Sequence, residues 1–178
     1  MTMRSWPSTM IRVIVASVTL VPAATSQADV LPRFAVSAHS LVTLVLTANA
    51  KSGCGPAKLD FVRVKSDGSS GADVFRIPDG QALIVTDVSW LYSGGGPGLT
   101  EVLMVLVENL ADPSTRQTVF QSTIRLGVDG VGGATEHLTS GFLVSSAARV
   151  CVDVVPGPVG SPLRLSNVVL HGYLVGAP

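Results

Sequence analysis

The side chains able to do chemistry are few in this chain, and they are scattered. Three histidines occur, His39, His137 and His171. A metal centre wants two imidazoles at i, i+2 on a strand or i, i+4 on a helix, so that both rings reach one ion. No pair here has that spacing, and Glu136-His137 lacks a second histidine beside it. A nucleophile elbow needs Gly-x-Ser-x-Gly between strand and helix, and the motif is absent. Glycoside hydrolysis needs two facing carboxylates. Glu101, Glu108, Glu136, Asp87 and Asp153 are the candidates, and their spacing reads as carboxylates on solvated strand faces. The expectation is a chain with no catalytic residue, no metal ligand and no cofactor. A hydrolase would require His137 or His171 to meet a carboxylate in the folded chain.

Two glycine-rich segments invite a ligand reading. Gly127-Val128-Asp129-Gly130-Val131-Gly132-Gly133 has the glycines of a phosphate loop. It lacks the Lys-Ser/Thr that holds the phosphate and metal, and so reads as a turn. Asp67, Ser69 and Asp73 around Gly71 make an incomplete set of oxygen ligands for calcium. Trp90 and Tyr92 are the residues with most promise as a ligand platform. They fall on one strand face just before Ser93-Gly94-Gly95-Gly96-Pro97-Gly98, and aromatic faces beside a mobile loop bind sugars or peptides by stacking. The same two residues also continue an apolar stripe, Ala82-Ile84-Val88, which would make them core.

The N-terminus has the three parts of a secretory signal. Arg4 and Arg12 are its only charges, VIVASVTLV runs from Val13 to Val21, and Ser26-Gln27-Ala28 offers small side chains for cleavage. The apolar stretch is shorter than the ~20 residues that span a bilayer. Residues 1–28 are expected to be removed, with Met1 or Met10 as the start, leaving residues 29–178 as one secreted or periplasmic domain without a transmembrane segment. Export places Cys54 and Cys151, the only cysteines, where a pair becomes a bridge. Free buried thiols or an intermolecular bridge are the other readings. Formal net charge is zero and charged residues make up 13% of the chain, so electrostatic capture of nucleic acid is excluded.

What must position these residues is a set of strands. Glutamate and lysine are scarce, β-branched residues are common, and no segment carries capped helical periodicity. Strands are expected over 40–47, 59–65, 73–77, 81–92, 102–107, 117–126, 148–155 and 163–175, with 134–144 ambiguous. Gly, Pro and Asp-Gly turns separate them at intervals near ten residues. In 117–126, Phe120, Ile124 and Leu126 face inward; in 148–155, Val150, Val152 and Val154 do so, with Arg149, Cys151 and Asp153 opposite. Eight or nine such strands make an all-β antiparallel sandwich of the jelly-roll kind.

The stretch Phe75-Arg76-Ile77-Pro78-Asp79-Gly80-Gln81-Ala82-Leu83-Ile84-Val85 resembles the "VPAGKxLVI" segment of uncharacterised exported bacterial β-sandwich proteins. His171-Gly172-Tyr173-Leu174-Val175 is similar to their closing "SGYLV" strand. The resemblance implies export and a jelly-roll-like fold, and implies no activity. The expected function is thus an exported, non-enzymatic binding or surface-associated module for a protein or carbohydrate. The alternative is a self-assembling structural subunit, possibly trimeric.

Overall fold

The computed structural model describes residues 40–46, 54, 61–156 and 165–177. They belong to one compact unit, Ala35–Pro178. The expected signal (1–28), His39, and residues 47–53, 55–60 and 157–164 lie outside the described residues.

Eight strands follow in order: β1 (Leu41–Leu46), β2 (Phe61–Val64), β3 (Gln81–Tyr92), β4 (Thr100–Asn109), β5 (Arg116–Arg125), β6 (Gly132–Ser145), β7 (Ala148–Pro156) and β8 (Leu165–Gly176). They form a five-stranded sheet, β2-β1-β8-β3-β6, and a three-stranded sheet, β5-β4-β7, with every pairing antiparallel. The runs β1-β8-β3-β6 and β7-β4-β5 are the two halves of a jelly roll. Short β2 hydrogen-bonds to β1 rather than sitting beside β7. The fold is the all-β sandwich that the turn spacing calls for. Residues 134–144, ambiguous as sequence, belong to the longest strand, β6. The segment 73–77 is not a strand. One bond, Phe75 N–H to Phe61 O at 2.8 Å, ties it to β2, and Phe75 and Ile77 pack on the core.

The faces of β5 and β7 follow the alternation of their sequences, and Ile124, Leu126 and Val152 are buried. Strand β3 departs from it. Between Val85 and Asp87 the register with β8 slips by one residue, so Thr86 is the extra residue of a β-bulge. Before the bulge Leu83 and Val85 face inward; after it Val88, Trp90 and Tyr92 do. The stripe is therefore Leu83-Val85-Val88-Trp90-Tyr92. Ala82 and Ile84, expected on it, are on the outer face. Glycines in both flanking strands make room for the bulge. A Cβ on Gly172 of β8 would lie 2.0 Å from Ile84 O, and one on Gly141 of β6 would lie 2.6 Å from Val85 O.

The two glycine-rich loops are tied to each other. Gly95 N–H donates to Gly130 O at 3.2 Å, and Gly98 N–H to Leu126 O at 3.1 Å. Gly130, at φ 71°, approaches so closely that a Cβ would meet Gly95 O at 2.0 Å. The expected flexible loop over 93–98 is thus half of a hydrogen-bonded pair.

On the outer side of the three-stranded sheet Cys151 is bridged to Cys54, with Cα atoms 5.4 Å apart and 97 residues between them in sequence. Two positions along β7, Arg149 Nε donates to Glu108 Oε2 at 2.6 Å, and Arg116 lies 3.5 Å from Glu108 Oε1. Glu108 is 1% exposed, and Glu101 is fully buried on the opposite face of β4. Neither is the solvated carboxylate that strand spacing implies; for Glu108, two arginines replace water as counter-charge.

Two measurements check this account. Reduction of the bridge should lower unfolding free energy by at most about 4–5 kcal/mol, the chain-entropy value for so long a loop, read from urea unfolding with and without reductant. Gly172→Ala should cost about 1–3 kcal/mol by the same assay, because the atom in the way belongs to backbone. A variant as stable as the parent would show that the bulge does not need the glycine.

Candidate functional site

After the bulge, odd-numbered residues of β3 point away from the core, and Asp87 is the first of them. The ladders place Asp87 opposite His137 on β6 and opposite His171 on β8, and His171 opposite Thr43 on β1. Two histidines 34 positions apart in the chain therefore share one row across the outer face, with a carboxylate between them. His137 Nδ1 is hydrogen-bonded to Asp87 Oδ1. Thr43 Oγ1 and His171 Nδ1 are bonded at 3.1 Å. The bulge residue takes part, since Thr86 Oγ1 donates to Asp87 Oδ2 at 2.6 Å. That bond, then the His137 imidazole, hold the Asp87 carboxyl below the usual carboxylate range, against a smaller opposing effect of burial.

Beside this row lies an open depression of about 340 Å³. Ser89 and Leu91 of β3, Gly133 and Thr135 of β6, and Asn167 and Val169 of β8 line it. Ser89 Oγ and Thr135 Oγ1 are bonded to each other at 2.9 Å. Leu91 is 44% exposed, and Gly133, its register partner, adds no side chain. On the other side of the histidine row runs an apolar row, Leu143-Ile84-Tyr173-Leu41, one residue from each of four adjacent strands.

The aromatic pair is placed elsewhere. Trp90 is 4% exposed and Tyr92 fully buried, both in the core between the sheets. Burial of one such ring removes 150–250 Å² from water, worth roughly 4–6 kcal/mol before entropy. A chain with nine aromatics spends these two on its core. Trp90 Nε1 donates to Ser122 Oγ at 3.0 Å, and Ser122 Oγ donates to Glu136 Oε1 at 3.2 Å. This polar link joins the sheets.

His137 touches the Asp87 carboxylate, whereas the hydroxyl bonded to an imidazole in this row, Thr43 Oγ1, is on His171. Glu101 and Glu108 lie on opposite faces of β4, and Asp87 and Glu136 on opposite faces of the other sheet. Neither pair can flank a glycosidic bond. Among the described residues no group of three or more His, Cys, Asp or Glu is placed to hold a metal ion. Asp67 Oδ1 accepts from Ser69 N–H at 2.8 Å and from Ser69 Oγ at 2.6 Å, so the suspected calcium loop spends its carboxylate on its own turn.

No protein-family model matches the chain, and no curated protein matches its sequence. Residues 82–84 and 173–175, parts of the two stretches singled out in the sequence, lie side by side here. Ala82, Leu83 and Ile84 of β3 pair with Val175, Leu174 and Tyr173 of β8.

The depressed carboxyl sets a pH dependence. A group ionised more easily when folded stabilises the fold above its unfolded pKa and loses that contribution as pH falls through its folded value. Stability should therefore drop below about pH 4, and Asp87→Asn should flatten part of that drop in thermal melts. An unchanged profile would remove Asp87 as a contributor.

Proposed function

We propose that the protein is an exported, non-enzymatic binding module that holds a hydroxyl-rich ligand, a carbohydrate, across the outer face of its five-stranded sheet. One observation carries this reading: the row His137-Asp87-His171-Thr43, hydrogen-bonded within its two end pairs His137–Asp87 and His171–Thr43, borders an open depression lined by Ser89, Thr135 and Asn167 around exposed Leu91. Hydroxyl and amide groups that both donate and accept suit a polyol, and an apolar floor suits the carbon face of a sugar. Export rests on the signal pattern of residues 1–28 together with the Cys54–Cys151 bridge, which belongs to an oxidising compartment. Among the described residues no helix is long and apolar enough to cross a membrane.

A second reading, self-assembly, is favoured by the apolar row. Leu41 is 57% and Leu143 52% exposed, at the two ends of one line across four strands. A symmetric partner laid on this face would bury that row and cover the depression with it.

Light scattering of the purified protein, beside a glycan-array screen, separates the two. The binding reading expects a monomer that retains a glycan, and Leu91→Arg should abolish retention while changing stability by less than about 0.5 kcal/mol. A stable oligomer that Leu143→Arg dissociates, with no glycan retained, would replace it with the assembly reading.

A further inference from the structure

We propose that the ligand of this face is an anionic polyol, a sugar or polyol chain bearing carboxylate or phosphate groups, and that it is held in mild acid and released near neutral pH. The inference rests on the carbohydrate reading above and adds the ligand's charge and the condition of binding.

The geometry leaves each imidazole one atom for a ligand. His137 has Nδ1 on Asp87, and His171 has Nδ1 on Thr43. Nε2 remains on both rings, and His137 is 81% exposed. The two residues flank Asp87 on adjacent strands, so their backbones stand roughly 10 Å apart, two strand spacings. A chain laid across the strands meets both rings, with Ser89, Thr135 and Asn167 beside them for its hydroxyls.

Charge decides what kind of chain. With both imidazoles neutral the row carries one negative charge, on Asp87, and repels an anion. With both rings protonated they stand as cations beside the Asp87 carboxylate, which Thr86 and His137 stabilise. The row then carries net charge of +1 and offers two charge-assisted Nε2–H donors. The groups on neighbouring elements do not reverse this sign. On β6, Glu136 turns to the other face and is bonded to Ser122. On β2, Arg63 pairs with Leu44, a core-facing position, and donates to Leu41 O. On β1, Thr43 is neutral. Tyr173, next along β8 on this face, adds a phenol to the apolar row. Among the described residues Asp87 is the one acidic side chain in these rows.

The test is titration calorimetry of the purified protein with three probes: oligogalacturonate for carboxylates, poly(glycerol phosphate) for phosphates, and dextran as the neutral chain. Each is run at about pH 5 and about pH 7.5, on either side of the imidazole range, at one ionic strength. The expected result is about tenfold tighter binding of at least one anionic chain at the lower pH, from two added charges at contact distance. Which anionic probe responds identifies the ligand's acidic group. The pH effect should vanish in the double variant His137→Asn with His171→Asn, whose amides can keep the Nδ1-type bonds without a titrating ring. Equal binding at both pH values, a pH effect that survives the double variant, or binding of dextran alone overturns the anionic inference and leaves the carbohydrate reading standing. Binding of none of the three at either pH overturns both.

Discussion

A single extra residue, Thr86, organises both sides of the larger sheet. Strand alternation is strict, so a strand of twelve residues has one chance to choose which residues face the core. The bulge at Thr86 gives β3 a second choice halfway along. Leu83 and Val85 pack inward on one phase, and Val88, Trp90 and Tyr92 on the other. Continued on the first phase, the strand would put Asp87, Ser89 and Leu91 into the core and the two large rings into solvent. Burial of Trp90 and Tyr92 outweighs the ladder disruption at Thr86, and Thr86 recovers part of that loss by bonding to Asp87. The glycines beside the bulge, Gly172 and Gly141, belong to the same solution.

This explains which parts of the fold were legible in the sequence. Strand count, turn positions and sandwich class follow from local signals: β-branched runs and Asp-Gly turns. The faces of β5 and β7 follow because those alternations are right around the residues that matter. The face of β3 was legible only after Asp87. A bulge leaves no mark in a hydrophobic pattern beyond a run such as Leu83-Ile84-Val85, in which either phase looks apolar. Close approaches such as Gly130 to Gly95 are tertiary facts, so 93–98 looked like a free loop.

The site was harder to read, for a reason of topology. A jelly roll sets strands side by side that are far apart in sequence. His137, Asp87, His171 and Thr43 form one row, yet no two of them fall within 30 positions of each other, and no spacing rule detects such a set. One signal was present: each of the three polar residues other than Thr43 interrupts an otherwise apolar or hydroxyl-rich strand with a titratable group. The aromatic pair drew notice because stacking residues are usually found by type. Here type and burial agree that both rings fill the core, and their proximity to a glycine-rich loop reflects where the strand ends.

The bulge also fixes how this protein can change over descent. Substitutions on the outer face act one residue at a time and can be graded. A residue lost or gained between Val85 and Asp87 is different in kind, because it exchanges the faces of half a strand in one event, carrying acid and hydroxyl inward and two large aromatic rings outward. Length across residues 81–92 is thus a harder constraint than identity within it. Chains descended from a common ancestor with this one should vary freely in loop length at 110–115, and hold that twelve-residue interval without insertion or deletion.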